Sequence, residues 1–375
     1  MYLLAGILVA GAGAGFIGYL IVRYDYLHKK WSHDPSGTGP QKFHLTPTPR
    51  IGGLCLIAGF LLARTVLFPN GESSGSGMHF ATLLLVALPV LLAGILEDFT
   101  KKTGVMTRLI ASMLSAALGA WLLGAVIPRL GLPGVDALLE WTPLAIAFTV
   151  FAVSGVTHSI NIIDGYNGLA SGIGIIALAA FAYVSHLLGD QYLLSHSLVL
   201  MGALIGFMLW NYPGGKIFLG DGGAYFLGFM LAELSVLLVA RHPEVSPWFP
   251  MLLLAYPVTE ALYSIYRRKI LKGLSPGAPD RDHLHQLIYL RLAENSPKTD
   301  TRALSNRLNN QVAPHIWLVA LCFTLMAAML WQDTLWLIAV TLMFVFGYCL
   351  LYRKYKQPEA ESAPTEELAK NPKAA

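Results

Sequence analysis

The sequence predicts an all-α polytopic membrane protein with about eleven transmembrane helices. Three observations predict it. Of 375 residues, 55% are hydrophobic and only 13% charged, with a mean hydropathy of +0.56; soluble domains carry roughly 25% charge. The apolar residues come in continuous runs near the ~20 residues that cross a bilayer, without the alternation of a membrane barrel. The Lys and Arg residues collect between alternate runs. A soluble or disordered chain is excluded, because neither tolerates this much apolar surface. The net charge of +4 reports topology and gives no reason to expect a nucleic acid partner.

The first run, 2–22, has no basic segment ahead of it and is followed by Arg23, Lys29 and Lys30. That is the pattern of an uncleaved anchor with its N-terminus outside. Further runs fall at 51–68, 80–96, 108–127, 143–160, 168–188, 193–210, 223–240, 248–266, 314–331 and 334–352. Trp141, Trp210, Trp248 and Trp331 sit near their ends, as interfacial anchors do. Alternating from an outside N-terminus puts 23 of the 26 Lys and Arg residues inside, and only Arg64, Arg129 and Arg241 outside. The C-terminus is then cytoplasmic. One membrane domain is expected over 1–355, with a long cytoplasmic loop at 267–313 and a disordered tail at 356–375 rich in Ala, Glu, Pro and Lys. Cys55, Cys322 and Cys349 lie in apolar runs without metal or redox spacing, and read as small fillers.

The polar residues of interest collect at the inner ends of the runs, which were placed without using them. His44-Leu-Thr-Pro-Thr-Pro-Arg50-Ile-Gly-Gly53 stiffens the chain with prolines and puts Arg50 at the membrane surface. It serves either as a topology anchor or as a phosphate contact. Glu97-Asp98 ends the third run, where adjacent acids oppose the helix dipole; Lys101, Lys102 and Arg108 follow. Acids so close to a membrane span suggest a cation site or proton acceptor. In Asn161-Ile-Ile-Asp164-Gly-Tyr-Asn167-Gly168, Asn161 and Asp164 share a face if helical, and both are hard ligands suited to Mg²⁺.

Phe218-Leu-Gly-Asp221-Gly-Gly opens the eighth run with an amide cradle for an anion and an acid for a divalent ion; an ordinary N-cap is the simpler reading. Asp280-Arg281-Asp-His283-Leu-His285-Gln286 lies in the long inner loop. Its two histidines are at i, i+2 and do not share a helix face. With no Cys nearby a zinc site is not expected, and phosphate or sugar binding suits the segment better. Glu260, two turns before Arg267-Arg268-Lys269, could support the same site from behind. Glu233 lies deeper and reads as a buried hydrogen-bonding group. Together these describe a cytoplasm-facing site joining a soluble phosphorylated substrate to a lipid phosphate.

In this order, PTPRIGG, LED, NIIDGYNGLASG, FLGDGGAYFLG and DRDHLHQL resemble the polyprenyl-phosphate N-acetylhexosamine-1-phosphate transferase family over roughly residues 40–290. The family includes enzymes that start O-antigen, enterobacterial common antigen and teichoic acid linkage units, and phospho-MurNAc-pentapeptide translocase. The resemblance implies a bacterial cytoplasmic membrane enzyme with a cytoplasm-facing site. There a prenyl phosphate, undecaprenyl phosphate, attacks the β-phosphorus of a UDP-N-acetylhexosamine such as UDP-GlcNAc and releases UMP. It implies Mg²⁺, or Mn²⁺ in its place, on Asn161 and Asp221. Asp98 with Glu97 would lie by the prenyl phosphate, Asn167 and Phe218 by the uridine, and Asp164 in the floor of the site. Arg50 and Arg108 would meet phosphate, and Arg281, His283 and His285 the sugar and diphosphate. Membrane lipids, and as an option a second copy in a homodimer, are the other implied partners.

Glu97 replaces the family's usual Asp, a polar or basic residue replaces its third acid, and Asn167 stands where a second Asp is usual. His283-Leu-His285-Gln286 lacks the three-histidine run of the peptidoglycan translocase. That branch is one alternative, and an inactive homologue is another. A transporter for an anionic solute would call for midplane polar residues and broken helices, whereas these clusters lie at one face.

Overall fold

The computed structural model describes residues 2–34, 47–67, 80–275, 277, 280, 282–296 and 302–356. Nine helices among them are long and apolar enough to cross a membrane: α1 (Tyr2–Arg23), α4 (Phe80–Thr100), α5 (Val105–Leu122), α7 (Thr142–Ile163), α8 (Leu169–Leu187), α9 (Gln191–Asn211), α10 (Gly220–Arg241), α14 (Arg302–Met329) and α15 (Thr334–Tyr355). The chain is an all-α polytopic membrane protein. Leu114 and Trp121 on α5, and Leu335, Trp336 and Phe346 on α15, are exposed, as side chains facing lipid are.

Two of the eleven expected runs take other forms. The second is a helix of 15 residues, α3 (Gly53–Leu67). The ninth is broken into α11 (Trp248–Leu253) and α12 (Ala255–Ile265), followed by a π-helical turn over Tyr266–Leu271. Pro257 accounts for the break, since it removes the backbone donor that would reach the Leu253 carbonyl and crowds that turn. The expected tail, apart from Lys356, lies outside the described residues.

Between the spans, α2 (Asp25–Ser32) leads to a two-residue strand β1 (His33–Asp34), which pairs antiparallel with β2 (Thr48–Pro49). This small sheet, unforeseen in an all-α reading, ties the chain before Arg50 to the end of α2. A short α6 (Pro133–Leu139) occupies the connection before α7. The long inner loop carries α13 (Leu284–Glu294), and α14 begins at Arg302, well before the expected apolar run.

Helix α10 is the axis of the bundle. It is hydrophobic all round and nearly every residue is buried, as expected of a helix with neighbours on every side. Glycines bring those neighbours close. A Cβ on Gly53 of α3 would lie 2.5 Å from the Gly223 nitrogen, and one on Gly94 of α4 would lie 2.6 Å from the Gly222 Cα. These contacts fix α3 and α4 against the start of α10. In membranes such small-residue approaches hold helices together, because lipid supplies no hydrophobic drive between them.

The same device joins α1 to α9. Gly11 and Gly15 face Gly202 and Gly206, and a Cβ on Gly206 would lie 2.1 Å from the Gly11 carbonyl oxygen. Gly206→Leu is expected to cost about 1–3 kcal/mol through overpacking, read as an earlier thermal melt in detergent. An unchanged melt would contradict the close approach.

Candidate active site

The start of α10 gathers residues from four elements. Gly220 opens the helix at φ +76°, with the Arg50 carbonyl packed where a side chain would stand; only glycine adopts that conformation readily. Asp221, next in line, is the hub. Its Oδ1 accepts from Arg50 Nη2 at 2.9 Å and from Asn161 Nδ2 at 3.3 Å. Its Oδ2 accepts from Arg108 Nη1. Arg50 arrives on the strand from β2, Arg108 from the first turn of α5, and Asn161 from the last turn of α7.

Asp98 does something the sequence did not reveal. Its Oδ1 accepts from the Asp221 backbone N–H and its Oδ2 from that of Gly222, both at 2.8 Å. The residue is 2% exposed. The amide cradle expected to hold a substrate anion is therefore filled by the protein's own carboxylate. The acid that looked unfavourable at the end of α4 is stabilised by the positive end of α10. Arg50 adds a third cation-side contact at 3.8 Å. Asp98 thus acts on the geometry of Asp221. Glu97 turns away and accepts from the Thr103 backbone N–H at 2.7 Å, closing the α4–α5 turn.

Asp164 caps α7. Its carboxylate has no hydrogen-bond partner among the described residues. Burial pushes it well above the usual carboxylate range; Arg50 opposes that, and Asp221 and Asp98 add to it. A hard cation or a cationic ligand group would reverse the shift.

Beside Arg108, the sequence reading missed His158 and Tyr225. Arg108 lies over the Tyr225 ring at 5.9 Å, and His158 meets that ring edge-on at 5.0 Å. The signal was spacing: His158 is one turn before Asn161, and Tyr225 one turn after Asp221.

Asn167, expected at the uridine, is committed within the protein. Its amide donates to Asn310 Oδ1 and its backbone N–H to Asn309 Oδ1, both at 2.9 Å. Gly168, at φ +74°, donates to Asn211 Oδ1 at 2.6 Å. This asparagine network locks the loop between α7 and α8 onto α14. Phe218 is half-buried, with its backbone bonded to Pro49 and Gly52.

The two histidines divide. His283 caps α13, its Nδ1 2.9 Å from Glu260 Oε1, with Asp280 on its other side at 3.8 Å. Glu260 also accepts from the Leu284 backbone N–H. His283 is thus held between two acids and fixes the start of α13. His285 lies in the first turn of α13, not in an extended segment. Its Nδ1 is 3.1 Å from the Tyr256 hydroxyl, and its Nε2 is 3.8 Å from where a Cβ on Gly165 would stand. It is the histidine that reaches the Asp164–Gly165 loop. Arg281 lies outside the described residues. Arg267 pairs with Asp280 and Asp282. Burial alone would raise the Asp280 carboxyl, but Arg267 and His283 hold it below the usual range.

Burial pushes the His285 imidazole down to about 3, so it is neutral at ordinary pH. The unfolded chain gains a proton there below pH ~6.5 and the folded chain does not, so stability falls with pH through that window. His285→Gln is expected to flatten the loss of melting temperature between pH ~6.5 and ~4. An equally steep acid loss in the variant would contradict this.

With this geometry in place, the chain was compared with known proteins. Residues 80–239 match the model of glycosyl transferase family 4. The chain is 32% identical over 237 residues to the phospho-N-acetylmuramoyl-pentapeptide-transferase of Streptococcus pneumoniae serotype 19F, covering 60% of this chain and 69% of that one. The chain belongs to glycosyl transferase family 4. Other relatives are similar over comparable or greater lengths. A Bacillus subtilis protein named "Probable undecaprenyl-phosphate N-acetylglucosaminyl 1-phosphate transferase" is 29% identical over 298 residues, 79% of this chain and 77% of its own. The decaprenyl-phosphate N-acetylglucosaminephosphotransferase of Mycobacterium leprae is 30% identical over 273 residues, 64% of this chain and 66% of its own. The family 4 match begins with α4 and ends in α10, so it contains Asp98, Arg108, Asn161, Asp164 and Asp221.

Proposed function

We propose that this protein transfers GlcNAc-1-phosphate from UDP-GlcNAc to undecaprenyl phosphate, releasing UMP. The observation that carries the reading is the convergence of Arg50, Arg108 and Asn161 on Asp221, beside Asp98 and Asp164, at one end of the bundle. An acceptor phosphate oxygen forms a bond to the β-phosphorus of the donor. The bond from that phosphorus to the oxygen of UMP breaks, and a lipid-linked sugar diphosphate remains. The acceptor phosphate is ionised near neutral pH, so no protein base is required. The protein's work is positioning and charge neutralisation. Arg50 and Arg108 turn from Asp221 to phosphate oxygens, while Asp98 keeps the start of α10 in place. His285 presents Nε2 to the sugar.

The donor set suits Mg²⁺, with Mn²⁺ as a substitute. Asp221 and Asn161 would hold it, and both offer hard oxygens. Among the described residues no group of three or more His, Cys, Asp or Glu side chains could hold a metal alone. Mg²⁺ is commonly held by one or two carboxylates together with substrate phosphates. When bound, the ion would neutralise charge on the diphosphate.

In this reading the short α3 and the broken α11–α12 segment also cross, which with the nine long spans of the described residues gives eleven crossings. With the N-terminus outside, the site then lies on the cytoplasmic side of a bacterial inner membrane, the side rich in Lys and Arg. The similarity to a pentapeptide transferase favours a second reading, in which UDP-MurNAc-pentapeptide is the donor. Offering both donors to the purified protein tests the choice. Lipid-linked GlcNAc diphosphate is expected, and product from the pentapeptide donor alone would overturn the sugar assignment.

A further inference from the structure

Helix α13 has two working ends. Its first turn carries His285 to the Asp164–Gly165 loop. Its second half, with the middle of α14 and the end of α15, lines a separate cavity of about 330 Å³. Three basic side chains from three helices face into it: Arg291 of α13, His315 of α14 and Lys354 of α15. Asn295 adds a polar group, and Ile288 and Leu292 supply an apolar wall.

The charge there is poorly answered by the protein. Arg291 pairs with Glu294 at 3.1 Å, but both are exposed, and such pairs hold weakly. Lys354 has no ion pair among the described residues. His315 commits Nδ1 to the Gln311 carbonyl at 2.6 Å and leaves Nε2 for a ligand. Lys354 lies in the last turn of the spanning helix α15, which puts the cavity at the bilayer rim. None of these residues belongs to the Asp221 constellation.

We infer that this cavity is a second site, binding the phosphate group of an anionic phospholipid headgroup or of a soluble phosphate ester. Basic pockets between spanning helices at the membrane surface bind anionic headgroups in this way. The apolar wall suits the glycerol backbone of a lipid. Occupation would tie α13 to α14 and α15 and so steady the helix that places His285.

The test is a binding measurement and does not depend on the transferase reading. The protein is placed in phosphatidylcholine nanodiscs. Phosphatidylglycerol doped into the discs and retained by the protein is counted by native mass spectrometry. Inorganic phosphate is titrated separately by calorimetry. At about fivefold per cation removed, R291Q/K354Q is expected to weaken binding roughly 25-fold, while R291K/K354R restores it and controls for folding. Loss of phosphatidylglycerol binding identifies a lipid site, and loss of phosphate binding identifies a soluble ligand. Wild-type binding by R291Q/K354Q, or no binding of either probe to the wild type, overturns the inference.

Discussion

Asp221→Asn is expected to lower transfer about 10³-fold, with a smaller effect on folding. The carboxylate takes hydrogen bonds from two guanidinium groups and one amide. An asparagine keeps the volume but loses the charge, and its NH₂ group must face at least one of those donors. Arg50 and Arg108 would then swing apart, and the hard oxygen pair suited to a divalent ion would be halved. Both substrates carry phosphate, so the damage falls on kcat more than on either KM. Steady-state kinetics with the two substrates varied in turn checks this. A variant that keeps a tenth or more of wild-type kcat would remove Asp221 from the centre of the site.

Asp98→Asn is expected to be nearly as severe, by a different route. Two backbone N–H groups at the start of α10 converge on this carboxylate. An amide can accept from only one of them, and its own NH₂ opposes the other. An unsatisfied buried donor costs about 1–3 kcal/mol, and the displaced turn is the one that carries Asp221. Loss of melting temperature should therefore accompany a loss of about 10²-fold in kcat. Were Asp98 instead a proton acceptor, Asp98→Asn would abolish the acid limb of the kcat–pH profile and leave the melt unchanged. The account expects the reverse: a lower melt and an acid limb in the same place.

These two acids show what can be read from a chain and what cannot. Hydropathy locates long spans because burial in lipid demands about 20 apolar residues in a row, so eight of the nine long spans emerged close to their ends, and α14 starts well before its apolar run. The break between α11 and α12 follows from Pro257, which a reading of 248–266 as one apolar run passed over. The β1–β2 pair was not legible, because two-residue strands in a polar connection leave no period to detect. The site residues were legible by type and by position at one face. Their partners were not. Asp98 and Asp221 lie 123 residues apart, so nothing local told that one fills the other's cradle. The i, i+2 spacing of His283 and His285 showed only that they diverge. Which one reaches the Asp164 loop depends on Glu260 and Tyr256, brought in from α12. Asn167 matched its motif, but its Asn309 and Asn310 partners lie in α14, far along the chain. Glu233 was expected to make a buried hydrogen bond. Instead both its oxygens lie against Gly119 of α5 without a hydrogen-bond partner among the described residues.

The most direct test of the central claim is the identity of the nucleotide released. Purified protein in detergent is given UDP-GlcNAc, undecaprenyl phosphate and Mg²⁺, and UMP is separated from UDP by chromatography. The account predicts UMP, formed only when both lipid and metal are supplied and lost in Asp221→Asn. Release of UDP would mean that the sugar moves without its phosphate, and would contradict it.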